Sequence, residues 1–206
     1  METSVIVTII VALITAVIGP IALEYVKSLI KKKESEADPM YEEMQSDILI
    51  NEQLQFLLDE LECDRIWILQ FHNGGHYYSS GVSIKKFSFF YEIVGAGIAP
   101  IRADFQNIPT SFFSRSLKEV HDHDELYVAN MHDESLPSYG LRDTAEGTGC
   151  QTLFMSALKT PSGKLHGALG VEFVKEPKGF TEEQLDMIRD TAGFVSGTLA
   201  LIHKFK

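Results

Sequence analysis

Residues 151–181, QTLFMSALKTPSGKLHGALGVEFVKEPKGFT, decide the fold of this chain. Two runs, residues 151–159 and 164–174, alternate apolar side chains with smaller or polar ones. They flank Pro161 and Gly163, which favour a tight turn, and this pattern predicts a β-hairpin. Directly after the hairpin, the segment Thr181-Glu182-Glu183-Gln184 forms a capping box, which predicts the start of a helix.

Both helices and strands are predicted in the part of the chain before the hairpin. Their spacing and composition predict a helix over residues 40–62, strands over 65–71 and 87–94, a short helix over 109–120, and a strand over 126–131 followed by a long loop. Strands that follow one another without long crossovers pair in an antiparallel sense. The order therefore predicts an α+β fold, an antiparallel sheet with helices packed on it.

The amino terminus has the composition of a membrane span. Residues 3–23 contain no charged side chain and are rich in valine and isoleucine. A helix of this length covers the roughly 30 Å hydrocarbon core of a bilayer. No base precedes this run, and it is longer than the apolar core of a secretory signal. We therefore predict a transmembrane anchor over residues 1–26 rather than a cleaved signal peptide.

Lysines follow the predicted span and none precedes it: Lys27, Lys31, Lys32 and Lys33. The positive-inside rule then predicts a single-pass protein of the inner (plasma) membrane whose globular domain is cytoplasmic. Residues 27–39 are predicted to be a basic and polar juxtamembrane linker, and residues 40–206 the domain. The lipid bilayer is the first predicted partner. The lysines either contact anionic headgroups or only set the topology.

The charge of the domain excludes one class of partner. Residues 1–36 contain four lysines and four glutamates, so residues 37–206 carry the whole net charge of −11. A domain this acidic repels a phosphate backbone, and nucleic-acid binding is not expected.

The carboxy-terminal half resembles a GAF domain. The similar stretches are residues 128–131, 153–158, 166–173 and 180–183, with Gly167-Ala168-Leu169-Gly170-Val171 matching the family's G-x-[LV]-G-[VL] strand. In element order the resemblance covers roughly residues 40–205. It implies a five- or six-stranded antiparallel sheet with the amino- and carboxy-terminal helices on one face. On the other face it implies a small-molecule pocket beneath loops.

Strand alternation assigns candidate residues to that pocket. On the last strand, Leu169 and Val171 are predicted to cover the terminal helices, so that Glu172 points toward the pocket. The same alternation on other strands completes a predicted floor of Gln70, His72, Phe154, Ser156 and Glu172. The loop predicted after the first strand adds Asn73, Gly74 and Gly75. Its adjacent glycines either let backbone N–H groups converge on a ligand or make only a tight connection.

The sequence does not favour a metal site, a cofactor or an enzymatic activity. The run of residues 121–125, HDHDE, offers metal-ligand types but is typical of a solvated loop, so no metal site is predicted. Gln151 follows Cys150, whereas bilin-binding GAF domains usually have a histidine after the attachment cysteine, so no cofactor is predicted. The chain has no Walker A loop, G-x-S-x-G motif or Ser/His/Asp ordering, and we do not expect an enzyme.

These observations predict a membrane-anchored, GAF-like sensory module that binds an unidentified small molecule and has no catalytic output. Apolar seams along residues 40–62 and 181–203 suit either a homodimer or the core of the monomer itself. A partner protein is the other route by which the module would act. The alternative prediction is a single-span, phage-holin-like lysis or membrane assembly protein, although the lysines oppose its topology. An assembly factor with a vestigial pocket is the third.

Overall fold

The computed structural model describes residues 20, 22–28, 38–136 and 140–203. The chain divides into two compact units, residues 1–45 and 46–206. In the first unit, Pro20 and residues 22–28 are helical. Among the described residues, no helix combines the length and the apolar character that crossing a bilayer requires. Residues 3–19 and 21 of the predicted span, and residues 29–37 of the predicted linker, lie outside the described residues.

The described residues beyond residue 38 form four α-helices: α1 (Pro39–Leu61), α2 (Ser114–His123), α3 (Leu141–Thr148) and α4 (Glu182–His203). A 3₁₀ turn, Thr110–Phe113, leads into α2. The predicted capping box of α4 is confirmed. The Gln184 N–H donates to Thr181 Oγ1 (3.2 Å), and the Thr181 N–H donates to Gln184 Oε1 (2.9 Å). Helix α3 lies where a long loop was predicted, because eight residues are too few to show helical periodicity.

The strands form one six-stranded sheet in which every described pairing is antiparallel. Its order is β3-β2-β1-β6-β5-β4. The strands are β1 (Arg65–His76), β2 (Ser83–Val94), β3 (Ile108–Pro109), β4 (Glu125–Val128), β5 (Thr152–Lys159) and β6 (Leu165–Phe173). The α+β class, the antiparallel sheet and the flanking helices are therefore confirmed.

The hairpin of β1 and β2 is longer than predicted. Residues 72–76, predicted as a loop, continue β1, because Asn73 pairs with Lys85 and His76 pairs with Ser83. The predicted loop was wrong. Gly74 and Gly75 lie within the strand at a register irregularity between Asn73 and His76, where the φ of Gly75 is 76°.

One face of the sheet packs against α1 and α4. The buried members of their seams are Ile50, Leu54, Leu57 and Leu61 from α1, and Leu185, Ile188, Ala192, Val195 and Leu199 from α4. Burying one such large aliphatic side chain contributes about 1.5–3 kcal/mol. These buried residues serve the core of the monomer, whereas Met40 and Met44 at the start of α1 are exposed.

Candidate functional site

Sheet register assigns side chains to the face opposite α1 and α4. Directly paired residues of antiparallel strands lie on the same face. Glu172 of β6 pairs with Arg65 of β1 and with Leu153 of β5, so all three share this face. The side chains that form the floor of the site around Glu172 are Trp67, Leu69, Leu153 and Met155.

Short segments cover this floor. They are the loop over residues 95–107, the 3₁₀ turn with α2, and α3 with the turn into Cys150. Between floor and cover lies a cavity of about 40 Å³, which holds roughly three water-sized groups. The lining is apolar apart from the Trp67 N–H, the Cys150 thiol and four oxygen-bearing side chains: Ser116, Thr144, Thr148 and Glu172.

Stacked aromatic rings form one wall of the cavity. Trp67 stacks on Phe89 with ring centroids 4.5 Å apart, and Phe89 stacks on Phe105 at 4.6 Å. The Trp67 indole lies over Gly170, where an added Cβ would come within 2.2 Å of Trp67 Cζ2. Glycine at position 170 therefore makes room for the indole. Through Phe89, the indole stacks indirectly on Phe105, so the ring stack connects the floor with the cover.

A buried ion pair holds the polar end of the site. Arg65 Nη1 donates to Glu172 Oε2 (2.6 Å), and Trp67 Nε1 donates to Glu172 Oε1 (2.7 Å). Arg65 Nη2 also donates to the carbonyls of Ala99 and Thr148, at 3.2 Å each. One guanidinium thus connects the sheet with the 95–107 loop and with the last turn of α3.

A second buried carboxylate, Glu92, lies on the other side of the guanidinium. Its Oε1 is 3.8 Å from Arg65 Nε, and its two oxygens accept the backbone N–H groups of Ile101 (2.8 Å) and Arg102 (2.9 Å). Glu92 reaches this face because the register between β1 and β2 skips Phe90, a β-bulge that reverses the alternation of β2.

The environment shifts the ionisation of two groups at the cavity. Burial raises the pKa of Glu172 above its ordinary value, while Arg65 and the Trp67 N–H act in the opposite direction. Burial and the neighbouring Glu172 charge raise the pKa of the Cys150 thiol. A thiol held protonated in this way is a poor nucleophile.

Comparisons with known proteins agree with this geometry. No family model matches the sequence, and no curated protein matches it. Among solved structures, GAF3 of Slr1393 from Synechocystis sp. PCC6803 superposes with a TM-score of 0.61 and 15% identity, over 77% of this chain and 95% of that one. The PixJ GAF domain of Thermosynechococcus elongatus gives 0.61 and 16%, over 79% and 89%. The chain has a GAF-domain fold.

A GAF domain/HD domain protein from Geobacter sulfurreducens is also similar, with a TM-score of 0.57 and 13% identity over 78% of this chain and 96% of that chain. At these identities the likeness concerns the fold alone. The chemistry of the site in this GAF-like domain therefore follows from its own residues.

One of the residues predicted to form the pocket floor lines this cavity. Glu172 lines the cavity on the face opposite the long helices, as predicted. The face assigned to Gln70, His72, Phe154 and Ser156 was wrong. Phe154 packs with α1 and α4, and Ser156, two residues further along β5, lies on the same face because it pairs with Leu169. In β1, Gln70 and His72 alternate with Trp67 and Leu69. The register of β1 and β5 against β6 reverses the predicted faces.

The residues predicted to form a binding loop lie in the β1–β2 hairpin instead. His72 Nε2 is 2.9 Å from Ser88 Oγ, and Asn73 Oδ1 accepts a hydrogen bond from Lys85 Nζ (2.8 Å). Gly74 lies beneath the Lys86 side chain and Gly75 has no heavy atom within 4 Å of an added Cβ. None of the four lines the cavity beside Glu172.

Sequence reasoning missed three residues that build the site: Arg65, Trp67 and Glu92. Arg65 at the start of a strand resembles an exposed terminal charge, and the bulge that reorients Glu92 has no recognisable sequence mark. Trp67 could have been found, because Gly170 predicts a bulky neighbour across the strand pair. Among the residues that the structure describes, no three His, Cys, Asp or Glu side chains cluster as metal ligands do.

Proposed function

We propose that this chain is a membrane-anchored sensory module that binds a small molecule in the cavity beside Glu172 and has no catalytic output. The observation that carries the proposal is the cavity between the sheet and the short cover segments, to which Arg65 is hydrogen-bonded. Occupancy that disturbs the Arg65–Glu172 pair would be transmitted to both covers. A GAF-domain fold supports a sensory role by analogy.

The proposed ligand is small. Several similar solved structures are cyanobacteriochrome GAF domains, and one holds biliverdin. A bilin does not fit this site, because a cavity of about 40 Å³ is far below the roughly 300 Å³ of ordinary ligand pockets. The buried, protonated Cys150 is also unsuited to forming a thioether link.

The absence of a catalytic output is proposed from the chemistry of the lining. Glu172 is held in an ion pair by Arg65, and the thiol beside it, Cys150, is kept protonated by the burial that raises its pKa. The hydroxyls of Thr144 and Thr148 donate to backbone carbonyls of their own helical segment, at 2.7 and 3.1 Å. No nucleophile and base pair is therefore formed by these groups.

The membrane tether is proposed from residues 3–23 and the lysines that follow, with the domain in the cytoplasm. Fusions of a cytoplasm-active and a periplasm-active reporter to residue 206 test it in cells. Activity only of the cytoplasmic reporter, in the membrane fraction, is expected. Activity of the periplasmic reporter would contradict the topology and favour the holin-like alternative.

A homodimer or a partner protein is the proposed route of output. The core-facing residues of α1 and α4 are buried, so contact would use apolar side chains on their outer surfaces, namely Ile48, Leu49, Phe56, Phe194 and Leu201. Light scattering of the full chain in detergent is expected to show dimers at tens of micromolar, and monomers for Phe56→Glu with Phe194→Glu. A wild-type monomer under these conditions would contradict dimerisation.

Ligand binding is tested by native mass spectrometry of the full chain purified from cells. We expect a small molecule to be released from wild type but not from Ala145→Leu, since Ala145 is buried in the lining. The matched control is Ala103→Leu, because Ala103 is exposed. Ser116→Leu fills the same cavity from α2 if Ala145→Leu does not fold. Equal retention by the cavity variants, or no small molecule in any sample, would contradict the proposal.

A further inference from the structure

The polar side of the cavity is dominated by a single group. Of the residues described around the cavity, Glu172 alone carries a formal charge. The hydroxyls of Thr144 and Thr148 already donate within their helical segment. The remainder of the wall is mostly apolar, including the rings of Trp67 and Phe89. A ligand therefore finds one strong hydrogen-bond acceptor and otherwise apolar contacts.

The buried charges around this acceptor do not balance. Arg65 is positive, Glu92 and Glu172 are negative, and their side chains are only 1%, 4% and 6% exposed. When ionised, the three groups carry one excess negative charge. Removing that charge from water is costly unless a further positive charge or donor compensates it. Burial correspondingly raises the pKa of Glu172.

Glu92 and Arg65 form hydrogen bonds to other groups, so the excess negative charge remains on Glu172. Glu92 accepts two backbone N–H groups in the 95–107 loop. Arg65 divides its donors between Glu172 and two backbone carbonyls. The Glu172 carboxylate accepts hydrogen bonds from Arg65 and Trp67 and has the Cys150 thiol as a further polar neighbour, which leaves lone pairs for another donor.

We infer that the ligand of this cavity is a small apolar amine, whose ammonium group donates to the Glu172 carboxylate and whose hydrocarbon part packs against the aromatic and aliphatic wall. This inference rests on the proposed ligand-binding function and adds the chemical class. The cation neutralises the excess buried charge. Carboxylates, phosphates and nucleotides are disfavoured because they would add a further negative charge beside Glu172. With the cover closed, about 40 Å³ admits an amine of roughly three non-hydrogen atoms.

The test uses the one tryptophan of the chain as its reporter. Trp67 lines the cavity and donates to Glu172, so its fluorescence reports on the site directly. The full chain in detergent is titrated with methylamine, ethylamine and propylamine. The matched compounds are acetate, propionate and the corresponding alcohols, with sodium chloride holding the ionic strength constant. We expect a saturable change with the amines, and affinity at least about tenfold weaker for the acids and alcohols.

Two variants test the contribution of the Glu172 charge and of the cavity volume to binding separately. Glu172→Gln removes the charge and is expected to weaken amine binding at least about tenfold. Ala145→Leu retains the charge, fills the cavity and is expected to abolish binding. Glu125→Gln is the control: its carboxylate pairs with Arg189 at the sheet edge, outside the cavity, and binding should not change. If Glu172→Gln does not fold, the comparison of amines with acids on wild type still decides the question.

The outcomes distinguish the inference from the function on which it rests. Saturable binding of an acid or an alcohol with an affinity equal to that of the amines would overturn the amine assignment and leave ligand binding intact. Failure of the amines to bind, while native mass spectrometry finds an anionic or neutral ligand, would do the same. If no compound of any charge binds and none co-purifies, both the inference and the proposed function are overturned.

Discussion

Arg65 Nη1 lies 2.6 Å from Glu172 Oε2. This buried contact joins β1 and β6, the first and last strands in chain order, which are neighbours at the centre of the sheet. The two residues are direct partners in the β1–β6 ladder. Through its other nitrogen the same guanidinium donates to the carbonyls of Ala99 and Thr148. The stability of the sheet centre and the closure of the cavity therefore depend on one side chain.

Replacing Arg65 by methionine is expected to cost about 3–5 kcal/mol of unfolding free energy, because it leaves two buried carboxylates without their shared cation. Urea unfolding followed by circular dichroism measures the loss. The matched control is Arg189→Met, since Arg189 and its partner Glu125 are 37% and 40% exposed. That pair is expected to contribute about 1 kcal/mol or less. Equal losses in the two variants would refute a special role for the buried pair.

Glu172 is expected to make stability depend on pH. Its pKa is raised in the folded state, so the folded protein binds the proton more tightly than the unfolded chain does. Stability contributed by protonated Glu172 is present at low pH and is lost as pH rises from the ordinary glutamate value through the raised one. The difference in unfolding free energy between wild type and Glu172→Gln should decrease as pH rises above the ordinary pKa of glutamate.

Glu125→Gln serves as the control for that experiment, and its difference from wild type should not follow the same curve. A flat difference for Glu172→Gln would show that the buried carboxyl ionises equally easily in the folded and unfolded states.

Gly170→Ala is expected to destabilise the domain by about 1–3 kcal/mol, because the new methyl group would displace the Trp67 indole. Trp67 fluorescence should change at the same time. Gly193→Ala is the matched control in α4, where nothing lies within 4 Å of an added Cβ. A helix-interior alanine there should stabilise by about 0.5–1 kcal/mol. Thermal unfolding of both variants tests whether stability falls in Gly170→Ala and rises in Gly193→Ala.

Both cysteines are expected to be unreactive in the folded protein. Cys63 and Cys150 are buried free thiols, and burial raises the pKa of Cys63 to about 12. Since the thiolate is the reacting species, modification by Ellman's reagent at about pH 8 should proceed only after unfolding. Rapid release of one equivalent from native protein would show that a thiol is accessible.

Element order was predictable because it depends on local pattern. The alternation over residues 165–173 and the box from Thr181 to Gln184 recur as β6 and the start of α4. Helix α3 and the two-residue strand β3 were not predictable from pattern. Both are too short to show periodicity, and contacts with the rest of the fold stabilise them.

The face of each strand was predictable only where composition was unequal. Leu169 and Val171 alternate with Gly170 and Glu172, and the apolar pair does face the long helices. On β1 and β5 both faces are largely apolar, so alternation alone could not say which one meets the helices. The ligand-binding role of Glu172 stays a prediction.

By itself, the sequence determined the α+β class, the antiparallel hairpins and the long helices, since these follow from periodicity and capping between residues close along the chain. Tertiary structure alone decided which residues surround Glu172. Arg65 meets it through the register between β1 and the distant strand β6, and Glu92 through the bulge at Phe90 in the β1–β2 pairing. A one-residue change in register moves a side chain to the opposite face, so the chemistry of the site is set by pairing rather than by local pattern.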